Sequence, residues 1–199
     1  MCSDLILASN STSRAKLLRN ACVHFKAVNA QVDEEMIKLT LATECTTPRD
    51  TADTLAEFKA RKVSASHPGA LVLGCDQVLD FQGKVFSKPR SCNDARSQLC
   101  DLRGNRHQLF SAAVIYRDGQ PLWRFIGAAR LTMHNFTDAY LNEYLMRNWD
   151  GVKHCVGAYK LEGEGVRLFE KVEGDYFTIL GMPLVEILSY LTRQGELQR

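Results

Sequence analysis

The sequence predicts an α/β fold in which a mixed, elongated sheet carries helices on its faces. The chain begins with a strand-then-helix pattern, since the apolar run at residues 5–8 leads into a helical repeat of leucines. Two long strand patterns follow at residues 107–116 and 122–134, joined by the hairpin dipeptide Asp118-Gly119. Strand–helix units followed by hairpins are typical of a sheet that mixes parallel and antiparallel strands.

The first strand leads into a polar turn made of Ser9, Asn10, Ser11, Thr12, Ser13 and Arg14. Ser, Thr and Asn are the residues that cap helix N-termini, where free backbone N–H groups bind anions. The turn is therefore either a phosphate site or an ordinary capped helix. A helix over residues 12–21 and a short strand over 23–28 are expected after it.

Residues 38–50 have no clear periodicity and are expected to be irregular. The next helix should run from Pro48 or Asp50 to Ser64, with an apolar stripe that includes Ala56 and Val63. Lys59 falls on that stripe. It either extends along the helix to solvent or reaches into a site.

Residues 70–75 form a nearly pure apolar run, typical of a buried central strand, and Asp76 follows it. Open α/β sheets place their chemistry at strand ends, which favours a functional carboxylate over a capping one. A second strand is expected at residues 78–81, turning at Gln82-Gly83 into residues 84–86.

The later elements have simpler signals. Asn93 or Asp94 should cap a helix that Gly104 ends, and Thr137 should cap another. A strand is expected at residues 166–172. The last helix should begin at Gly181-Met182-Pro183 and carry an apolar stripe.

Composition indicates one globular domain over residues 1–199. The chain is 45% hydrophobic and 24% charged, with a net charge of +2 and no basic or acidic block. Neither nucleic acid nor a membrane is expected as a partner, and no apolar window reaches the ~18 residues of a spanning helix. The seven cysteines form no CxxC pair and no zinc-ligand spacing, which favours reduced thiols in the cytoplasm.

The unusual charged residues fall into two sets. The cations are Arg14, Lys59 and Lys88, and the anions are Glu34, Glu35 and Asp76. Spaced cations suit a polyphosphate, while one or two carboxylates suit a divalent metal that is completed by substrate oxygens and water. The chain has no P-loop, no GxGxxG and no GxSxG, which argues against common ATPases, dinucleotide enzymes and serine hydrolases.

Eight short motifs in order resemble the Maf-like (septum-formation) nucleotide pyrophosphatases over about residues 4–192. The motifs are Leu5-Ile6-Leu7-Ala8-Ser9 with Ser11 and Arg14; Val32-Asp33-Glu34; Ala56-Glu57-Phe58-Lys59-Ala60; Leu73-Gly74-Cys75-Asp76-Gln77-Val78; Ser87-Lys88-Pro89; Gly157-Ala158-Tyr159; Glu173-Gly174-Asp175-Tyr176; and Gly181-Met182-Pro183-Leu184. The resemblance implies two lobes around a cleft, similar to inosine-triphosphate pyrophosphatases. It also implies hydrolysis of a nucleoside triphosphate to the monophosphate and pyrophosphate.

The resemblance further implies roles for particular residues. The family's proton-accepting Asp falls on Asp76, and its acidic metal-side residue falls on Glu34, so a Mg²⁺ or Mn²⁺ ion is expected at Glu34 and Asp76. The phosphate-contacting residues fall on Ser9, Arg14, Lys59 and Lys88. Family members are often cytoplasmic homodimers, and some are linked to arrest of septation.

Three positions that separate the family's branches fall on Ser13, Gln77 and Glu162. Gln77 and Glu162 match the branch that acts on 7-methyl-GTP, and a Glu suits the N–H donors of guanine; Ser13 matches neither branch. The resemblance therefore favours 7-methyl-GTP, with dTTP or UTP as the alternative. A hypothesis of another class is a nucleotide-binding regulator of septum formation with little catalysis.

Overall fold

The computed structural model describes residues 4–197. Seven strands in this part of the chain form one mixed sheet. They are β1 Leu5–Leu7, β2 Lys26–Ala27, β3 Leu71–Phe81, β4 Lys84–Phe86, β5 Arg106–Arg117, β6 Gln120–Met133 and β7 Phe169–Glu173. The α-helices are α1 Thr12–Asn20, α2 Glu34–Thr43, α3 Pro48–Ser64, α4 Cys92–Leu102, α5 Asp138–Val152, α6 Tyr176–Ile179 and α7 Leu184–Arg193, with 3₁₀ turns at Val156–Ala158 and Glu164–Leu168.

The sheet is mixed, as the sequence predicts. Its strand order is β2-β1-β3-β5-β6-β7, and β4 pairs with β3 off this path. The short strand β1 runs parallel to β2 and β3, while β4, β5, β6 and β7 make only antiparallel pairs. The parallel part therefore comes from the N-terminal strand–helix units, and the antiparallel part from the hairpins.

One edge of β3 is left open in its middle. The opposite edge pairs with β5 from Val72 to Asp80. On the open side, β1 pairs with β3 only as far as Leu73, and β4 begins to pair at Leu79. The stretch between these two points has no strand beside it, so the sheet itself leaves a gap there.

Helices cover both faces of β3. Helix α3 packs so closely on one face that a Cβ on Gly74 would collide with the backbone of Ala56 and Ala60. Helices α1 and α7 share a core with Cys75 on the other face. Because side chains alternate along a strand, each residue of the open stretch faces one of these two layers.

The structure corrects the expectation for residues 38–50. Helix α2 occupies Glu34–Thr43, and none of its residues is buried. A helix with no fully buried residue, and with only Ile37 partly buried against the core, has no marked apolar stripe, which explains why the sequence shows no periodicity there. Its start does carry a signal, because the Asp33 carboxylate accepts the backbone N–H of Met36 at 3.0 Å.

The expected end of the central strand at Asp76 is also wrong, because β3 continues without a break to Phe81. Pairing with β5 maintains the strand although Asp76 and Gln77 interrupt its apolar run.

Three further element boundaries differ from expectation. The strand expected at 166–172 begins at Phe169, after a 3₁₀ turn. Ser91, not Asn93 or Asp94, caps α4, and β2 is only two residues long. None of the described helices has the length and apolar character needed to span a membrane.

Candidate active site

A cleft of about 760 Å³ lies at the gap beside β3. Of the charged, phosphate-contacting and specificity residues that the sequence or the resemblance selected, all but Glu35 line this cleft; Glu35 instead accepts a hydrogen bond from Ser87 at 3.1 Å. Those that line it are Ser9, Ser13, Arg14, Glu34, Lys59, Asp76, Gln77, Lys88 and Glu162. Residues far apart in the chain are therefore brought to one place, although their positions alone do not establish their roles.

The polar turn after β1 is fixed by Ser9 and Arg14. The Ser9 hydroxyl oxygen accepts the backbone N–H of Ser11 at 3.1 Å and Arg14 Nη1 at 3.3 Å. Both groups are buried. With its oxygen accepting two hydrogen bonds, Ser9 retains its own proton to donate to a ligand.

Arg14 ties this turn to a distant part of the chain. Its Nε donates to the carbonyl oxygen of Gly181 at 2.8 Å. The guanidinium thus joins α1 to the segment after α6, and only its remaining N–H groups are free for an anion. Ser11 caps α1 by accepting the backbone N–H of Arg14 at 3.3 Å.

Lys59 lies between two carboxylates on one side of the cleft. Its Nζ is 2.6 Å from Glu34 Oε1 and 2.6 Å from Asp76 Oδ1. The Lys59 and Asp76 side chains are both buried, with exposures of 8% and 7%. Lys59 therefore reaches into the site instead of extending to solvent. Because the same ammonium nitrogen contacts Glu34 Oε1 and Asp76 Oδ1, these two oxygens lie close together.

Glu34 links two cations. Its second oxygen is 3.7 Å from Lys88 Nζ. Burial alone would raise the pKa of Glu34, but the charge and hydrogen bond of Lys59, together with Lys88 and Lys38, outweigh burial and hold that pKa at about 2. Glu34 is thus ionised at any physiological pH. It forms ion pairs with Lys59 and Lys88, the cations that a bound phosphate would otherwise contact.

Gln77, the next residue of β3, faces the opposite side of the cleft. Its amide nitrogen lies 3.1 Å from the carbonyl oxygen of Thr178, 2.9 Å from that of Ile179 and 3.0 Å from Ser111 Oγ. The donors of the Gln77 side chain are consequently used within the protein. Only its carbonyl oxygen remains for a ligand.

Glu162 lies at the far end of the cleft and is exposed. Its loop is held by the neighbouring Glu164, whose carboxylate accepts hydrogen bonds from Arg147 at 2.6 Å and from the Asn148 amide at 2.7 Å. No described residue pairs with the Glu162 carboxylate. The Glu162 carboxylate is therefore uncommitted, and Ser13 contributes to the lining of the same cleft from the first turn of α1.

Tyr159 forms part of the wall between these ends. Its hydroxyl is 2.8 Å from Nε2 of His107, which is buried behind it. Burial lowers the pKa of His107 to about 4, so the imidazole is neutral at physiological pH. This histidine supports the wall through Nε2, while its buried Nδ1 has no hydrogen-bond partner among the described residues.

Two residues in or behind the cleft have no signal in the sequence. Lys38 lines the cleft, but it lies on α2, the helix that the sequence did not reveal. Ser111 lies behind Gln77 on β5 and has no motif around it. Among residues 4–197, no three His, Cys, Asp or Glu side chains cluster tightly enough to hold a metal by themselves.

Comparison with known proteins agrees with the geometry. A family model described as Maf-like protein matches residues 4–194. A protein of Roseobacter denitrificans named nucleoside triphosphate pyrophosphatase is 58% identical over the whole of both chains. One of the same name from Caulobacter vibrioides is 50% identical, covering 98% of each chain.

A relative with a more specific name also matches. A protein of Brucella abortus named 7-methyl-GTP pyrophosphatase is 44% identical, covering 98% of each chain. The match to the family model and the full-length identities together show that this chain belongs to the Maf-like protein family.

Proposed function

We propose that this protein is a nucleotide pyrophosphatase, which hydrolyses a nucleoside triphosphate to the monophosphate and pyrophosphate. The observation that carries the proposal is the Lys59 ammonium held between Glu34 and Asp76 in a cleft that also contains Ser9, Arg14 and Lys88. Relatives at 50–58% identity are named for this activity.

Asp76 is the proposed general base. Lys59 binds only its Oδ1, and the other oxygen has no partner among the described residues. That oxygen takes a proton from a water molecule, which attacks the α-phosphorus. The bond from this phosphorus to the oxygen bridging to the β-phosphorus breaks, and pyrophosphate leaves.

The cations position and neutralise the triphosphate. Lys88 lines the cleft with 53% of its side chain accessible, so it is free to move and contact a bound phosphate. Ser9 and Arg14 are buried and held by hydrogen bonds, so the Ser9 proton and the free N–H groups of Arg14 have fixed positions. Phosphoryl transfer depends mainly on such positioning and charge neutralisation.

The residues present fit a divalent metal that is shared with the substrate. Glu34 and Asp76 supply hard oxygen ligands that already share one cation, Lys59 Nζ. Mg²⁺ characteristically binds one or two carboxylates together with phosphate oxygens and waters. Bound there, Mg²⁺ or Mn²⁺ would neutralise charge that develops on the phosphates.

For the base, we favour 7-methyl-GTP. Glu162 is an uncommitted acceptor at the end of the cleft, and guanine presents N–H donors. The Brucella abortus relative is named for this nucleotide. Ser13 offers no aromatic ring to stack on a methylated, cationic base, which keeps dTTP and UTP as the alternative.

The test is pyrophosphate release across a panel of nucleotides that includes 7-methyl-GTP, GTP, dTTP and UTP, with Mg²⁺, with Mn²⁺ and with neither. We expect release that requires a metal and is greatest with 7-methyl-GTP. Greatest release with dTTP or UTP would reverse the base assignment. Nucleotide binding without release under every condition would contradict the enzyme and favour the regulator.

We also propose a cytoplasmic homodimer. The six described cysteines are all free, which suits a reducing compartment, while the dimer rests on the family resemblance. Sedimentation equilibrium of the full chain would check the dimer. A single species of 22.4 kDa would contradict it.

A further inference from the structure

Two polar residues and a glycine form a row across three strands beneath the cleft wall. Gln77 of β3 lies directly opposite Ser111 of β5, and Ser111 lies directly opposite Gly127 of β6. Cross-strand partners point to the same face of a sheet, so these three positions form one surface. We call Gln77, Ser111 and Gly127 the cradle row.

The cradle row holds α6 through hydrogen bonds to its backbone. Ser111 Oγ donates to the carbonyl oxygen of Thr178 at 2.7 Å, and the Gln77 amide lies within reach of the carbonyls of both Thr178 and Ile179. Ser111 is completely buried, with no accessible surface. It therefore cannot touch a nucleotide.

Gly127 completes the row by leaving room. A Cβ at this position would lie 2.5 Å from Thr178 Oγ1 and 2.9 Å from Thr178 Cγ2. The Thr178 side chain fills the space where that Cβ would be, and it is almost fully buried. The row thus sets the height of α6 above the sheet by hydrogen bonds at two positions and by shape at the third.

The segment that follows Thr178 is the neutral wall of the cleft. Ile179, Leu180 and Gly181 all line the cleft, and Arg14 holds the Gly181 carbonyl from the other side. A shift of α6 would move this wall against a bound nucleotide. Gln77 has no free donor with which to read a base.

We propose that the cradle row controls base selectivity indirectly, by positioning the wall at residues 179–181. Gln77 is then a positioning residue, and Ser111 and Gly127 share its role although neither contacts the ligand. This inference rests on the proposed function only in that the cleft binds a nucleotide; it requires no turnover.

The experiment measures dissociation constants of GTP and UTP by calorimetry, without divalent metal, for the wild-type chain, Ser111→Ala, Gln77→Met and the double variant. Losing about one hydrogen bond at the wall should change the GTP/UTP affinity ratio about 3- to 10-fold in either single variant. The double variant should change the ratio by less than the product of the two, because both act through Thr178. Ser64→Ala is the matched control, since Ser64 is a buried serine that accepts the backbone N–H of Gly119 at 3.1 Å away from the cleft.

A steric variant tests the third member of the row. Gly127→Ala should shift the same ratio by pushing Thr178 outward. Adding Thr178→Ala should restore it in part, since this removes the two closest atoms and leaves the Thr178 Cβ at 3.3 Å. This compensation would not be expected if the effect were general destabilisation.

Direct base reading by Gln77 predicts a different result. The ratio would then change in Gln77→Met and stay at the wild-type value in Ser111→Ala and Gly127→Ala, which would overturn the proposal. An unchanged ratio in all three variants would overturn it as well. Pyrophosphate release by the wild-type chain is assayed separately, so a failure of the proposed reaction is distinguished from a failure of the cradle row.

Discussion

The two sides of the cleft are held together by different forces. On one side, the ammonium of Lys59 links the carboxylates of Glu34 and Asp76. On the other, the neutral side chains of Gln77 and Ser111 bind backbone carbonyls of α6. The two sides meet at adjacent residues of β3, because successive side chains of a strand point to opposite faces of the sheet. Asp76 belongs to the charged side and Gln77 to the neutral side.

The difference separates what a ligand can rearrange from what it cannot. A phosphate or a divalent cation competes directly for the charges on the first side, so those ion pairs can exchange partners when a ligand binds. Carbonyls bound to buried neutral donors offer a ligand nothing to exchange, since breaking those bonds leaves polar groups unsatisfied. The charged side is thus suited to chemistry and the neutral side to shape.

The largest effect should come from the charged side, at Asp76. Asp76→Asn removes the proposed base while Lys59 keeps its contact with Glu34, so the fold should survive. Turnover should fall by about 10²- to 10⁴-fold. Pyrophosphate release and a thermal melt measure the two effects.

Asp80→Asn is the matched control for that variant. Asp80 lies on the same strand, but its carboxylate accepts the backbone N–H of Gly83 in the turn to β4 and does not line the cleft. Turnover should stay near the wild-type value. A comparable loss in both variants, or a near-normal rate in Asp76→Asn, would remove Asp76 from the mechanism.

Lys59→Met should act in opposite directions on two ligands. Loss of a charged hydrogen-bond donor should weaken nucleotide binding about 10- to 100-fold. The same change leaves two neighbouring carboxylates without their cation, so Mn²⁺ binding in the absence of nucleotide should tighten by about tenfold or more. Electron paramagnetic resonance of free Mn²⁺ measures the second effect without any turnover.

The exposed Lys16 of α1 provides the comparison for Lys59, because Lys16→Met removes the same charge away from the cleft. It should leave Mn²⁺ affinity nearly unchanged. Equal Mn²⁺ binding in the wild-type chain and in Lys59→Met would show that Lys59 does not compete with a metal for Glu34 and Asp76.

The sequence predicted the two sides unequally. It indicated Lys59 and Asp76, because a charge on an apolar stripe or after an apolar strand stands out. It could not indicate that Asp76 lies within a continuous β3, since the strand depends on pairing with β5. Helix α2 escaped notice because none of its residues is fully buried.

The neutral side was harder to predict for a related reason. Ser111 is one serine within an apolar strand pattern, and its importance comes only from its register with Gln77 and Gly127. The family resemblance selected Gln77 but gave no account of its contacts. Long-range register, which no local pattern contains, decides what this residue does.

The acid sensitivity of the charged side should follow Glu34. Its pKa in the folded chain is about 2, below the ordinary value of 4.5, so its pairing stabilises the fold fully above about pH 4.5. That stabilisation is lost as the pH falls towards 2. The difference in unfolding free energy between the wild-type chain and Glu34→Gln should therefore shrink over this range, as measured by urea denaturation.

The same pair of measurements in a Lys59→Met background tests the cause. Removing Lys59 removes the main attraction that lowers the pKa of Glu34, so the pH-dependent part of the difference should become much smaller. An undiminished pH dependence in that background would show that cations other than Lys59, such as Lys88 or Lys38, lower the pKa of Glu34.

The smallest effect should come from Cys75, which lies between the two sides on β3. Burial raises the pKa of this thiol to about 11, and it has no accessible surface, so it stays protonated and shielded. Iodoacetamide at neutral pH should label the exposed Cys22, Cys45 and Cys92 and leave both Cys75 and turnover unchanged. Mass spectrometry of the labelled peptides checks this; rapid modification of Cys75 with loss of activity would instead place a reactive, accessible thiol beside Asp76.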